Sequence, residues 1–295
     1  MTIPTSRRGL FVCVDGSPSS HAAVRWAADE AAMRNVGLTL LYGLPSLNAS
    51  WVGIGMTMAP LPADYSDLLE RQGDEVLTEA AAIAVERSPD LDVDRKMFSP
   101  PLIATLIEFT KHSDMIVVGS RGQGALARTL LGSVSTALVQ HAHCPVAVIH
   151  DGGREPAPTA PVLVGVDRSP ASEVATAIAF DEASHRGVDL VAVYACSDAN
   201  FPDFADVDLT TLLGEGELAL AERLAGWSER YPDVATRRVV VPDRPAQHLL
   251  DETHSAQLVV VGSRGRGGFT GMLLGSVSNA VVHGASIPVI VARRY

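Results

Sequence analysis

Lysine is almost absent from this chain. Of its 23 Lys and Arg residues only Lys96 and Lys111 are lysines, and neither follows a glycine turn. P-loop kinases and GTPases need a lysine directly after their glycines, so they are excluded. Cysteine is equally scarce: Cys13, Cys144 and Cys196 show no CxxC spacing. That argues against a zinc site or a disulfide framework and for a reducing compartment. No apolar run approaches the roughly 18 residues of a membrane span. Ser6-Arg7-Arg8-Gly9-Leu10-Phe11 has the outline of a twin-arginine leader, but its apolar run ends at Val14. A leader core needs roughly 7–15 apolar residues, so the expected setting is the cytoplasm, with no membrane partner. Positive charge is in deficit, 23 against 34 acidic residues for a net charge of −11, which speaks against nucleic acid as a partner.

What is present is a globular composition, 47% apolar and 19% charged over 295 residues, enough for two domains with separate cores. The chain repeats itself. Val14-Asp15-Gly16-Ser17-Pro18 returns as Val166-Asp167-Arg168-Ser169-Pro170, and Tyr42 returns as Tyr194, both at an offset of 152 residues. Val117–Ser135 matches Val260–Ser278 at 13 of 19 positions, at an offset of 143. A period this long marks two whole domains rather than a solenoid. The Pro- and Gly-rich stretch 151–161 reads as a linker between domain 1 (1–150) and domain 2 (162–295), with 1–8 as a frayed arm. The connection over 43–62 is longer than its counterpart; a lid and a partner surface are both compatible with it.

Within each half, short apolar runs alternate with segments of helical period. The first half predicts strands over 10–14, 38–42, 92–98, 115–118 and 146–149, and helices over about 19–35, 64–87, 102–111 and 133–141. The second half repeats the series. Strands alternating with helices mean βαβ units. The expected fold is α/β: two tandem doubly wound domains, each a five-stranded parallel sheet with helices on both faces.

The chemistry lies in a glycine spacing. Gly119-x2-Gly122-x9-Gly132-Ser133 recurs unchanged as Gly262-x2-Gly265-x9-Gly275-Ser276. Each copy starts where a buried strand ends and finishes where a helix begins. Gly122 and Gly265 permit a positive φ and lack a β-carbon, which lets an anion approach main-chain amides. Ser133 and Ser276 suit the N-cap of a helix, whose free amides and dipole face outward. Together they form a phosphate cradle that needs no lysine. The flanks Ala125–Thr129 and Gly268–Met272 have diverged while this spacing has not. The pair His141 and His143 lies at i, i+2 and shares no helix face, so no zinc site is expected there.

An aspartate ending the first strand followed by G-x2-G-x9-G-S resembles the universal stress protein family, in its ATP-binding branch, and the resemblance spans nearly the whole chain. It implies strand order 3-2-1-4-5, which sets strand 1 beside strand 4 and makes a topological switch point, where such sheets bind ligands. It further implies that Asp15 and Asp167 contact adenosine and that the backbone at Gly43 and Ala195 reads the adenine edge. Ribose and phosphates fall to Gly119, Gly122, Gly132, Ser133, Val134 and Ser135, and to Gly262, Gly265, Gly275, Ser276, Val277 and Ser278. Arg121 and Arg264 either reach a terminal phosphate or remain solvated loop charges. An Asx turn is the alternative role for the two aspartates.

The implied function is that of an ATP-binding regulatory protein of the stress response, with one site per domain and Mg2+ held mainly by the phosphates. Its expected partners are a regulatory protein of unknown identity and a second copy of the chain in a homodimer, besides pairing of the final strands within the chain. A slow ATP hydrolase and a nucleotide-free scaffold are the alternatives. No Asp or Glu lies between 119 and 135 or between 262 and 278, which disfavours hydrolysis for want of a base.

Overall fold

The computed structural model describes residues 9–45, 65–122, 131–152, 156–197, 208–265 and 273–293. The arm 1–8, most of the connection 43–62 and the diverged loop centres with Arg128 and Arg266 lie outside the described residues. By its contacts the chain divides into two compact units, Met1–Leu138 and Val139–Tyr295.

In the first unit β1 (Leu10–Cys13), β2 (Leu38–Gly43), β3 (Val93–Phe98) and β4 (Met115–Gly119) alternate with α1 (Pro18–Arg34), α2 (Tyr65–Arg87) and α3 (Leu102–Phe109), and α4 (Ser133–His141) follows. β1 pairs in parallel with β2, Leu10 opposite Leu38, and with β4, Leu10 opposite Met115. Within this unit the order is β3-β2-β1-β4, the first four strands of the expected 3-2-1-4-5, and β5 (Val146–Ile149) falls in the second unit. All five residues of β4 are buried, as a strand covered on both faces requires. β3 lies at the edge and exposes Asp94, Arg95 and Lys96, charges that discourage pairing with a foreign strand.

In the second unit β6 (Val162–Val166), β7 (Leu190–Ala195), β8 (Thr236–Val241), β9 (Leu258–Gly262) and β10 (Val289–Ala292) are joined through α5 (Pro170–Arg186), α6 (Leu209–Arg230), α7 (Pro245–Glu252) and α8 (Ser276–Gly284). β6 pairs in parallel with β7 and β9, β7 with β8, and β9 with β10. β5 lies antiparallel to β10, with Val148 opposite Val289, so these short apolar strands satisfy each other's backbone groups.

α1 starts at Pro18, one residue ahead of the expected start near 19. Ser17 is the N-cap, its Oγ accepting from the Ser20 amide at 3.1 Å with Pro18 next in the chain. Proline at the first helical position has no amide to leave unsatisfied, so the helix starts there. Ser169 and Pro170 repeat the device at α5, where Ser169 Oγ accepts from the Ser172 amide at 3.1 Å. Each helix carries a buried glutamate paired with the arginine one turn on, Glu30 with Arg34 at 2.5 Å and Glu182 with Arg186 at 3.1 Å. Pairing is what makes burial of those carboxylates tolerable.

Candidate functional site

β1 and β4 are neighbours, so the residues after their carboxyl ends meet. Asp15 Oδ1 accepts from the Ser17 amide at 3.0 Å, and Asp167 Oδ1 accepts from the Ser169 amide at 2.7 Å. The Asx turn is therefore real in both halves. It occupies one carboxylate oxygen and turns the other toward the glycine loop. A β-carbon on Gly122 would lie 2.5 Å from Asp15 Oδ2, and one on Gly265 would lie 2.8 Å from Asp167 Oδ2.

That contact corrects the reason for the glycines. Neither Gly122 nor Gly265 has a positive φ; the left-handed glycine of this corner is Gly16, at φ 77°. Gly122 and Gly265 are needed because an aspartate occupies the space where a side chain would begin. The same holds at the strand ends. A β-carbon on Gly119 would come within 2.8 Å of the Ser19 carbonyl carbon, and one on Gly262 within 2.9 Å of that of Ala171.

The loop is clasped at both ends in each half. The amides of Gly132 and Gly275 donate at 2.8 Å to the carbonyls of Ser120 and Ser263. Ser135 Oγ donates to the Gly119 carbonyl at 2.6 Å, and Ser278 Oγ donates to that of Gly262. With these hydroxyls committed, what Ser135 and Ser278 offer the site is their backbone. The capping serines reach across too: Ser17 Oγ donates to the Arg121 carbonyl at 3.5 Å and Ser169 Oγ to the Arg264 carbonyl at 3.0 Å. These two serines hold the helix start, the aspartate turn and the glycine loop in one hydrogen-bonded unit.

A second correction concerns the helix starts. Ser133 and Ser276 are not caps but the first helical residues. The cap of α8 is Gly275, at φ −69° and ψ 154°, and its carbonyl accepts from Asn279 at 2.9 Å; the Gly132 carbonyl accepts from Thr136 at 2.9 Å in the same way. A glycine cap has no side chain to cover the first-turn amides, so those of Ser276, Val277 and Ser278, and of Ser133, Val134 and Ser135, remain available to an anion. Ser120 beside the loop is buried, and its Oγ has no hydrogen-bond partner among the described residues, an unusual state for a buried hydroxyl.

Gly43 and Ala195 end β2 and β7. Gly43 packs toward Phe98 and Leu102 rather than toward the loop. The link from β2 to Asp15 is Tyr42, a residue whose role the sequence reading missed. Burial, and then the Asp15 carboxylate, hold its phenol above the ordinary tyrosine range. The repeated Tyr42 and Tyr194 at the offset of the two aspartates was the available signal. Arg121 is half-buried and Arg264 exposed. Among the described residues no cluster of three His, Cys, Asp or Glu suits a metal ion, and no helix is long and apolar enough to cross a membrane.

Parallel strands wrapped by helices, with a glycine loop at the carboxyl end of a central strand, define a doubly wound α/β domain, and the chain carries that pattern twice. It belongs to the universal stress protein family, whose model matches residues 7–150 and again 159–293. The chain is 51% identical over 303 residues to universal stress protein Rv2005c of Mycobacterium tuberculosis, with 100% of both chains covered. It is 45% identical over 298 residues to universal stress protein Rv2623 of the same organism, covering 99% of each. The crystal structure of a universal stress protein from Archaeoglobus fulgidus aligns at a TM-score of 0.72 and 22% identity, covering 98% of this chain and 100% of that one, and shares the fold.

Proposed function

We propose that the protein binds ATP once in each half, in domains 1–150 and 162–295 joined by the linker 151–161, and acts as a nucleotide-dependent regulator in a cytoplasmic stress response. The second half, on this reading, has the same strand order 3-2-1-4-5 as the first. The observation that carries the proposal is the close approach of Asp15 to Gly122 and of Asp167 to Gly265. It joins the first-strand aspartate to a glycine-capped helix start in both halves.

The donor set fits the ligand. The uncovered first-turn amides of α4 and α8 suit phosphate oxygens, and the Ser120 hydroxyl, unpartnered among the described residues, adds a polar group beside them. Asp15 and Asp167, fixed by their own turns, are acceptors suited to the ribose hydroxyls. Gly43 and Ala195 present backbone toward the adenine edge, and Arg121 and Arg264 supply positive charge for the terminal phosphate. Mg2+ would be held mainly by the phosphates themselves. Regulation then comes from the loop's conformation with and without nucleotide, read by a protein partner, with a homodimer as the assembly. No carboxylate lies within either loop sequence, so binding is favoured over turnover.

Calorimetric titration with ATP and GTP, with phosphate release followed in parallel, tests the reading. Saturable ATP binding with little release supports it. Turnover at ordinary enzyme rates supports the hydrolase instead, and absence of binding leaves the scaffold.

A further inference from the structure

Between α5 and α6 of the second unit lies a cavity of about 460 Å³, lined by Arg168, Glu173, Thr176, Glu222, Arg223 and Trp227 among others. That is the size range of small-molecule sites. Arg168, Thr176, Arg223 and Trp227 of its lining are private to the second half, whereas Ser172 and Glu222 correspond to Ser20 and Glu79. At the repeat offset of 152, Arg168 and Thr176 correspond to Gly16 and Val24. Gly73 and Gly216 both face the repeated tyrosines, Tyr42 and Tyr194, which fixes the offset for α2 and α6 at 143. Arg223 and Trp227 then correspond to Ala80 and Ala84, both buried where α1 packs against α2. The larger side chains hold α5 and α6 apart where α1 and α2 close on small ones.

The charges in this cavity have a definite pattern. Arg223 is already neutralised by Glu173, Nη1 to Oε1 at 3.1 Å. Arg168 and Glu222 line the cavity without an ion pair among the described residues. The indole of Trp227 is held in place by stacking with Phe180 and Tyr231 at centroid distances of 6.3 and 6.4 Å. One unspent cation, one unspent anion and a fixed aromatic wall match a ligand that carries both charges on a flat apolar body.

We infer that this cavity binds a small zwitterion of the aromatic α-amino-acid class. The carboxylate goes to Arg168, the ammonium to Glu222 and the ring to Trp227. Neither Asp167 nor the glycines of the nucleotide cradle are among its described lining residues, although Arg168 directly follows Asp167 in the chain.

The test uses the full chain labelled with 5-fluorotryptophan, whose three tryptophans include Trp227. Its fluorine resonance is assigned through Trp227→Phe. The probes are L-phenylalanine, L-phenylalaninamide, which lacks the carboxylate, and N-acetyl-L-phenylalanine, which lacks the ammonium. The titration needs no nucleotide, so it stands whether or not ATP binds. L-Phenylalanine is expected to shift the Trp227 resonance, with each blocked analogue weaker by about tenfold or more. Arg168→Gly, which installs the first-half residue, is expected to erase the preference over the amide and keep that over the acetyl form; Glu222→Gln is expected to do the converse. The proposal is overturned if Trp227 does not respond to L-phenylalanine at about 10 mM, beyond the weak millimolar range. It is equally overturned if the three probes bind alike, or if both variants keep the wild-type preferences.

Discussion

Asp15 occupies the space beside Gly122 that any side chain at position 122 would need: a β-carbon there would sit 2.5 Å from Asp15 Oδ2. The two residues follow the carboxyl ends of the adjacent parallel strands β1 and β4, so the contact couples the first turn of the domain to the loop after β4. Asp167 and Gly265 repeat it with 2.8 Å between the same points.

Gly122→Ala is therefore expected to do more than stiffen a loop. With no positive φ at this position, the backbone strain of a β-carbon is small, and the conflict is with the carboxylate. Either Asp15 or the loop must move, and the amides that face the phosphates move with them. Charge-assisted hydrogen bonds contribute about 1.5–3 kcal/mol each, so losing two weakens ATP binding at the first site by about a hundredfold or more. Gly265→Ala does the same at the second site alone. Calorimetry on each single variant checks this, and unchanged affinity in both would reduce the glycines to turn residues.

Asp15→Asn keeps an oxygen for the Ser17 amide and removes the charge. The phenol of Tyr42, raised by burial and then by Asp15, is expected to titrate lower while staying above the ordinary tyrosine value. A phenol raised in the fold holds its proton more tightly folded than unfolded. Its contribution to stability is thus complete below the ordinary tyrosine pKa and is lost as pH rises through the folded value. Spectrophotometric titration against a Tyr42→Phe blank measures the shift. No change in Asp15→Asn would separate Tyr42 from the site.

Ser17→Ala removes a helix cap and the hydroxyl that donates to the Arg121 carbonyl at once. A lost serine cap typically costs about 1 kcal/mol. Ser169→Ala is expected to cost at least as much, because its bond to the Arg264 carbonyl is the shorter, 3.0 against 3.5 Å. Denaturant unfolding measures both, and a loss confined to the cap would leave ATP affinity untouched.

The duplication and the alternation of strand and helix were legible because buried parallel strands are short, wholly apolar runs that end on Asp-Gly or Gly-Ser, whereas the strand order of the first half followed only from the family resemblance. The positions of Asp15 and Gly122 were legible as a spacing, but their contact was not. A glycine needed for close approach and one needed for a left-handed φ look the same in a sequence, and only the structure shows that Gly16 is the second kind and Gly122 the first. The cap of α8 was misplaced by one residue because Gly275 and Ser276 are both good capping residues and sit side by side. Tyr42 went unrecognised because a tyrosine ending a strand reads as core, as Tyr194 indeed is, at 1% exposure.

Val148→Pro removes a backbone donor from the strand that pairs with β10. Hydrogen exchange at Val289, Ile290 and Val291, which face β5 in the register, is expected to quicken relative to the amides of β1. Unchanged exchange there would mean that the pairing contributes nothing to the stability of β10.

The central claim is that both halves bind ATP through the same aspartate and glycine pair, and the number of ATP molecules bound per chain tests it most directly. Isothermal calorimetry on the wild type, on Gly122→Ala, on Gly265→Ala and on the double variant gives that number together with the affinities. The account predicts about two sites in the wild type, one in each single variant and none in the folded double variant. A double variant that still binds ATP with wild-type affinity would contradict it.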